Sequence, residues 1–173
     1  ILSPYLYTDT VRQQAVLDNV HIVVADMSFN STQSIANILD QVIKAGGKNV
    51  LIICKVVSDA GIGVMVSNNE AETVRSCAAN IKPIGDLRKG TVEDMAILTG
   101  AQALTDKSGM EPERITIDDI GFADRVVVTK DYYMIIGGHG ERTATRKRVK
   151  DLRQRLTKCY DADERKVLRE LIT

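Results

Sequence analysis

Two short stretches place glycines where a site could be built. SDAGIGVMVSNN, residues 58–69, follows the apolar run NVLIIC and offers Gly61 and Gly63 as the first two glycines of a dinucleotide-binding turn. Such a turn needs a third glycine for close helix–strand contact and an acidic partner for the ribose. The third position here falls on Val66 or Ser67. No Gly-Lys-Ser or Gly-Lys-Thr occurs, so a P-loop is excluded. Gly137, Gly138 and Gly140 surround His139 and could cradle an anion at the start of a following helix. A strand-to-helix turn that needs positive φ accounts for them more simply.

Little else assembles into a catalytic set. The acid pairs Asp118/Asp119 and Asp161/Asp163 sit where helices are expected to start, and opposition to the helix dipole explains them. Neither His21 nor His139 has a serine or cysteine at a recognisable motif spacing. Cys54, Cys77 and Cys159 are far apart, form no CxxC and lie away from both histidines in sequence. That pattern predicts reduced thiols and no zinc site, in a cytoplasmic protein or one of an organelle matrix.

The elements that would position these residues come from one domain, or one domain with a small appendage, since 173 residues can bury a sizeable core. Lys plus Arg and Asp plus Glu number 23 each, so no global charge points to nucleic acid, an acidic substrate or a membrane surface. The distribution is uneven: residues 141–173 hold 11 basic and 6 acidic side chains, which leaves 12 and 17 before them. The longest apolar runs fall short of the ~20 residues of a membrane span, and no signal-peptide pattern opens the chain. The opening ILSPY reads as the middle of something longer, so an excised fragment is expected.

Along the chain, strand-like and helical stretches alternate: HIVVAD (21–26), a helical period over 32–45, NVLIICKVV (49–57), a helix from about Asp59, then SCAANIK. This order predicts an α/β layer structure. GTVEDMAILTG (90–100) reads as a helix stopped by Gly100, Asp118 opens no more than a short turn before Gly121, and RVVVTKDYYMIIGG reads as a hairpin turning at Thr129, Lys130 and Asp131. From Glu141 two helices are expected, separated by CYDAD, with Asp161 and Glu164 at capping-box spacing. The segment RTATRKRVKDLRQR could touch phosphates. Its Val149, Leu152 and Leu156 at helical spacing favour instead a helix buried on one face and solvated on the other.

Helix 32–45 carries the most functional information. Ile35, Ala36, Ile38, Leu39, Val42, Ile43 and Ala45 fill an arc of roughly 180°, whereas a helix resting on one sheet needs a stripe of about 100°. Ile35, Ile38 and Val42 suffice to pack inward, which leaves Ala36, Leu39 and Ile43 able to face out unless a second layer covers them. The next helix begins with Ile62, Val64, Met65 and Val66, apolar all round its first turn. Two neighbouring helices with surplus apolar edge would form a groove for extended or helical apolar peptides.

These elements coincide with a family. GDLRKGTVEDMAILTGAQ (85–102), together with LSPY (2–5), KAGGKNVLII (44–53), RVVVTKD (125–131) and YDADERKVLREL (160–171), resembles in order the apical domain of the group I, GroEL-like chaperonins over nearly the whole chain. The resemblance implies an α/β fold with β core layers flanked by helices, and a C-terminal helical hairpin over 141–173 leading toward the rest of the subunit. It implies a chaperone's binding domain, not an enzyme: non-native polypeptides and a co-chaperonin mobile loop would bind in an apolar groove between two helices. ATP and Mg would be used by another domain of a homo-oligomeric ring, with no cofactor in this fragment. Carried over by position, the binding residues are Ile1, Tyr5 and Leu6 in the opening segment, Ala36 and Leu39 in the first helix, and Ile62, Val66 and Ser67 in the second. Ala36 and Ser67 stand where the family usually has larger aliphatics, which predicts a shallower, more polar groove. Gly61 and Gly63 each cost ~1 kcal/mol of helix propensity and predict a late or frayed second helix. KPIGD lacks the family's glycine–aromatic pair, which marks a divergent member. The alternative from another class is a nucleic-acid-binding module using the basic C-terminal helices, and a third is a small phosphate-binding enzyme using the glycine turns.

Overall fold

One long strand organises the molecule. In the computed structural model, which describes residues 3–81, 86–105, 111–140, 149–151 and 154 (residues 86–88 by backbone alone), β1 (Gln14–Asp26) lies at the centre of a mixed sheet. β3 (Asn49–Cys54) pairs with it in parallel and β5 (Arg75–Asn80) pairs in parallel with β3. On its other side β7 (Gly121–Thr129) and β8 (Tyr133–Gly138) continue the sheet antiparallel, giving the order β5-β3-β1-β7-β8. A short β6 (Leu104–Thr105) adds to the end of β1, while β2 (Ser28–Phe29) and β4 (Val56–Val57) form a separate parallel pair.

The parallel half is covered on both faces. Val50 to Cys54 and Ile22 to Ala25 are all buried, as continuous apolar runs of a two-sided sheet should be. Toward β8 the sheet instead alternates buried and exposed. Ala15 and Leu17 are buried before Asn19, Val20 and Ile22 after it, so the strand changes phase there. Asn19 has φ 50°, a left-handed value that asparagine tolerates, and it faces Asp124 and then Gly137 (φ 66°) across positions that the ladders skip. A Cβ on Gly137 would collide with the Asp124 carboxylate, which bonds His139 Nε2 at 2.7 Å.

α1 (Thr32–Lys44) begins where Ser31 Oγ accepts the Ser34 N–H at 3.3 Å. It ends in a Schellman motif: the Gly47 N–H donates to the Val42 carbonyl and the Gly46 N–H to that of Ile43, with Gly46 at φ 79°. α2 (Asp59–Glu70) and α3 (Asp86–Thr99) follow, and residues 149–151 and 154 are helical. α3 starts four residues before the expected Gly90, a glycine that the helix carries in its interior. The β7–β8 hairpin turns through residues 130–132, slightly later than expected, with the Thr129 N–H bonded to the Tyr132 carbonyl at 2.7 Å. Asp119 closes the 3-10 turn Ile117–Asp119 by accepting the Thr116 N–H at 3.0 Å, so it is part of a local cap.

The α/β class and the helix-flanked sheet therefore hold. The expected C-terminal helical hairpin and the KPIGD loop lie almost entirely outside the described residues. Among the described residues no helix is long and apolar enough to cross a membrane.

Candidate binding cleft

At Gly61 the two helices expected to border a trough are in close contact. Gly61 is buried and faces α1 so tightly that an added Cβ would lie 3.2 Å from Ile35 Cγ1 and 2.7 Å from Val57 Cγ1. The glycine that looked like a helix defect is a close-contact point between the two helices. α2 consequently starts at Asp59, neither late nor frayed, with Ser58 Oγ accepting the Gly61 N–H at 3.2 Å. Its other end is clamped to the sheet: Asn69 Oδ1 accepts the Ser76 N–H at 2.7 Å while Asn69 Nδ2 donates to the Ser76 carbonyl at 3.0 Å.

The predicted outward flank of α1 is buried at Leu39 alone. Leu39, expected to face solvent, is 3% exposed and belongs to the core. The 3-10 turn Pro112–Arg114 lies against α1, fastened by Asn37 Nδ2 donating to the Ile115 carbonyl at 2.8 Å and Ser31 Oγ to Glu113 Oε1 at 2.7 Å. That hydroxyl also holds the Glu113 carboxyl below its usual range. Of the predicted surplus only Ala36 and Ile43 stay exposed on this helix.

An open cleft exists on the opposite flank of α2, facing the N-terminal segment. Ser3 caps the 3-10 turn Pro4–Leu6, Oγ accepting the Tyr5 N–H at 3.4 Å. The turn drops Leu6 into the core and leaves Tyr5 79% exposed. Across from Tyr5, Ile62 and Val66 stand one helical turn apart on α2, half-buried against the core, with Met65 fully buried beneath. Val56 of β4, 46% exposed, forms the remaining apolar wall. These residues, with Gly63 and Ser67, enclose about 810 Å³. Nothing lies near Gly63, so its missing side chain widens the floor. Asp59 and Glu70 mark the rim, and a smaller hollow of about 340 Å³ continues past Tyr5 and Val66 to Tyr7 and Arg75.

Of the residues singled out in the sequence, Tyr5, Ile62, Val66 and Ser67 thus line one cleft. Leu6 and Leu39 serve the core, Ala36 is exposed but is not part of this lining, and Ile1 lies outside the described residues. Sequence reasoning missed Val56, Gly63, Asp59 and Glu70. Val56 sits in the strand-like run NVLIICKVV, and the pairing of β4 with β2 exposes it.

The chemistry open to this cleft is the removal of apolar side chains from water. Its lining has no histidine, cysteine or lysine. The glycine-rich end of β8 offers no anion cradle either. The Gly140 N–H donates to the Leu98 carbonyl at 2.9 Å and that of His139 to Phe122. Cβ atoms on Gly138 or Gly140 would strike the Leu98 and Ile97 carbonyls of α3, the electronegative end of a helix. Cys54 and Cys77 are buried, and burial pushes the Cys77 thiol up to about 12. Among the described residues no three His, Cys, Asp or Glu side chains gather as metal ligands. No family model matches the chain.

Proposed function

We propose that this chain is a polypeptide-binding domain, the apical domain of a divergent group I chaperonin, and that it takes apolar segments of non-native proteins into the cleft between the Pro4–Leu6 turn and α2. The observation that carries the reading is the cleft itself: Tyr5, Val56, Ile62 and Val66 leave apolar surface in water around a recess that side chains of another polypeptide can fill. The ordered sequence resemblance supports the same reading, and the four cleft residues it names come from two segments more than fifty residues apart.

The energetics suit capture and release. Burial contributes ~25 cal/mol per Å² of apolar surface, and loss of translational and rotational freedom cancels much of that for a small patch. One copy binds weakly, and several copies in a homo-oligomeric ring bind tightly through effective concentration. A co-chaperonin's mobile loop would compete for the same recess. Gly63 and Ser67 leave the α2 wall low, so the cleft accepts side chains of varied shape. Nothing in this binding runs through ATP or Mg, whose residues the resemblance places in another domain.

The test is a titration with a chemically denatured client protein, comparing wild type with Val66→Glu at low and high salt. A carboxylate on the wall should weaken binding roughly tenfold or more, because burying an unpaired charge costs well over 1.4 kcal/mol. The thermal midpoint should stay near wild type, since Val66 is only half-buried. Wild-type affinity should change little with salt. Equal binding by the variant, or a steep loss with salt, would overturn the proposal.

A further inference from the structure

The cleft between the Pro4–Leu6 turn and α2 is apolar inside and carries charge of one sign at its edge. The charged residues of its lining are Asp59 and Glu70, both exposed and both acidic. Among the described residues neither carboxylate forms an ion pair. The nearest basic side chains do not neutralise them. Lys55, beside Val56 in the chain, pairs with Asp26 at 3.9 Å, and Arg75 shares the smaller hollow with Glu70 without pairing to it.

The helix treats its two acids differently. Asp59 opens α2, where a carboxylate opposes the helix dipole and is stabilised. Glu70 closes α2, at the end where a cation is favoured, and the last turn contains no basic residue. Glu70 therefore gains nothing from its own helix and stands available to a positive charge from outside. Tyr5 and Val66 line both hollows together with Glu70, so a cation arriving there also has an exposed aromatic ring at hand. The 12 residues of α2 set the two acidic positions about 16 Å apart along the helix axis, a span that unfolded, extended chain covers in about five residues. Ile62 and Val66 lie between them on the cleft wall.

We propose that the cleft selects apolar segments flanked by lysine or arginine about five residues apart, one cation reaching Asp59 and the other Glu70. The inference rests on the polypeptide-binding role of the cleft and names the class of segment that it prefers. Apolar burial inside supplies the affinity, and the rim supplies the choice, because a segment flanked by glutamate meets repulsion at both ends. Exposed ion pairs are individually weak, so the preference is graded and not absolute.

The experiment is a methyl NMR titration of the full chain, read at Ile62, with three peptides. They share a core of four leucine and valine residues and soluble Gly-Ser tails, and carry one Lys, one Gln or one Glu at each end of the core. At low salt the Lys-flanked peptide should bind roughly fivefold tighter than the Gln-flanked one, and the Glu-flanked peptide several-fold weaker. The spread should close at about 0.5 M salt. Asp59→Asn with Glu70→Gln should erase it, and Asp59→Lys with Glu70→Lys should reverse it. Both positions are exposed, so circular dichroism should show the fold kept in each variant. Equal affinity of the three peptides overturns the inference, and so does a preference that survives Asp59→Asn with Glu70→Gln. In either case the cleft remains a polypeptide site as long as Val66→Glu still weakens binding of the Gln-flanked peptide. Failure of all three peptides to bind, or binding indifferent to Val66→Glu, overturns the polypeptide-binding role and this inference with it.

Discussion

α1 and α2 lie side by side on the same sheet, yet they use their apolar residues in opposite ways. α1 has a broad, well-ordered apolar face, and nearly all of it is consumed by packing: Ile35, Ile38, Leu39 and Val42 are buried, with the sheet beneath and the Pro112–Arg114 turn beside. α2 shows almost no sidedness in its sequence, and buries only Gly61 and Met65 completely. Its remaining apolar residues are shared between the core and an open recess. A strong stripe therefore reports how a helix is held, whereas apolar residues spread around a helix report that it has two surfaces to serve. The surplus that suggests a binding face is on α2, although the periodic argument pointed to α1.

The comparison breaks most visibly at Leu39. If α1 is wholly committed to the core, Leu39→Ala should cost about 2–5 kcal/mol in denaturant unfolding, with client affinity per folded molecule unchanged. A variant of wild-type stability that loses binding would return Leu39 to the groove. Next in size is the glycine pair. Gly61→Ala should destabilise despite alanine's better helix propensity, because its Cβ meets Val57 and Ile35. Gly63→Ala, in open space, should stabilise by roughly 0.4–1 kcal/mol as the unfolded chain loses freedom. Equal effects at the two positions would contradict the distinction between a contact point and a cleft floor.

A smaller effect concerns pH and reports on the core alone. His21 packs edge-on to Phe122 at 5.1 Å, and burial lowers its pKa, offset in part by a hydrogen bond with the Asn49 backbone. The unfolded chain then binds the proton more readily, so stability should be constant above about pH 6.5 and fall as pH drops from there through the folded value. An imidazole NMR titration with a midpoint at or above 6.5 would contradict this.

Much of the scaffold was legible because its signals are local. The 3.6-residue period alone places α1 within a residue of the expectation, and α2 starts at the expected Asp59. What could not be read depends on distant chain. Leu39 is buried in a core assembled from several distant elements, and Gly61 is explained by Ile35 of another helix. The first half of β1 was not recognised, since Asn19 at positive φ breaks the alternation that would have shown it. Four of the eight residues carried over by resemblance line the cleft, but its position on the far flank of α2 emerged only when the Pro4–Leu6 turn was placed against it.

The most direct measurement is a methyl NMR titration of the chain with a short apolar peptide. Binding in the cleft requires the methyl signals of Val56, Ile62 and Val66 to shift together and saturate, while those of Leu39, Ile38 and Val42 stay in place. Shifts centred on α1, or none at any of these methyls, would contradict the account.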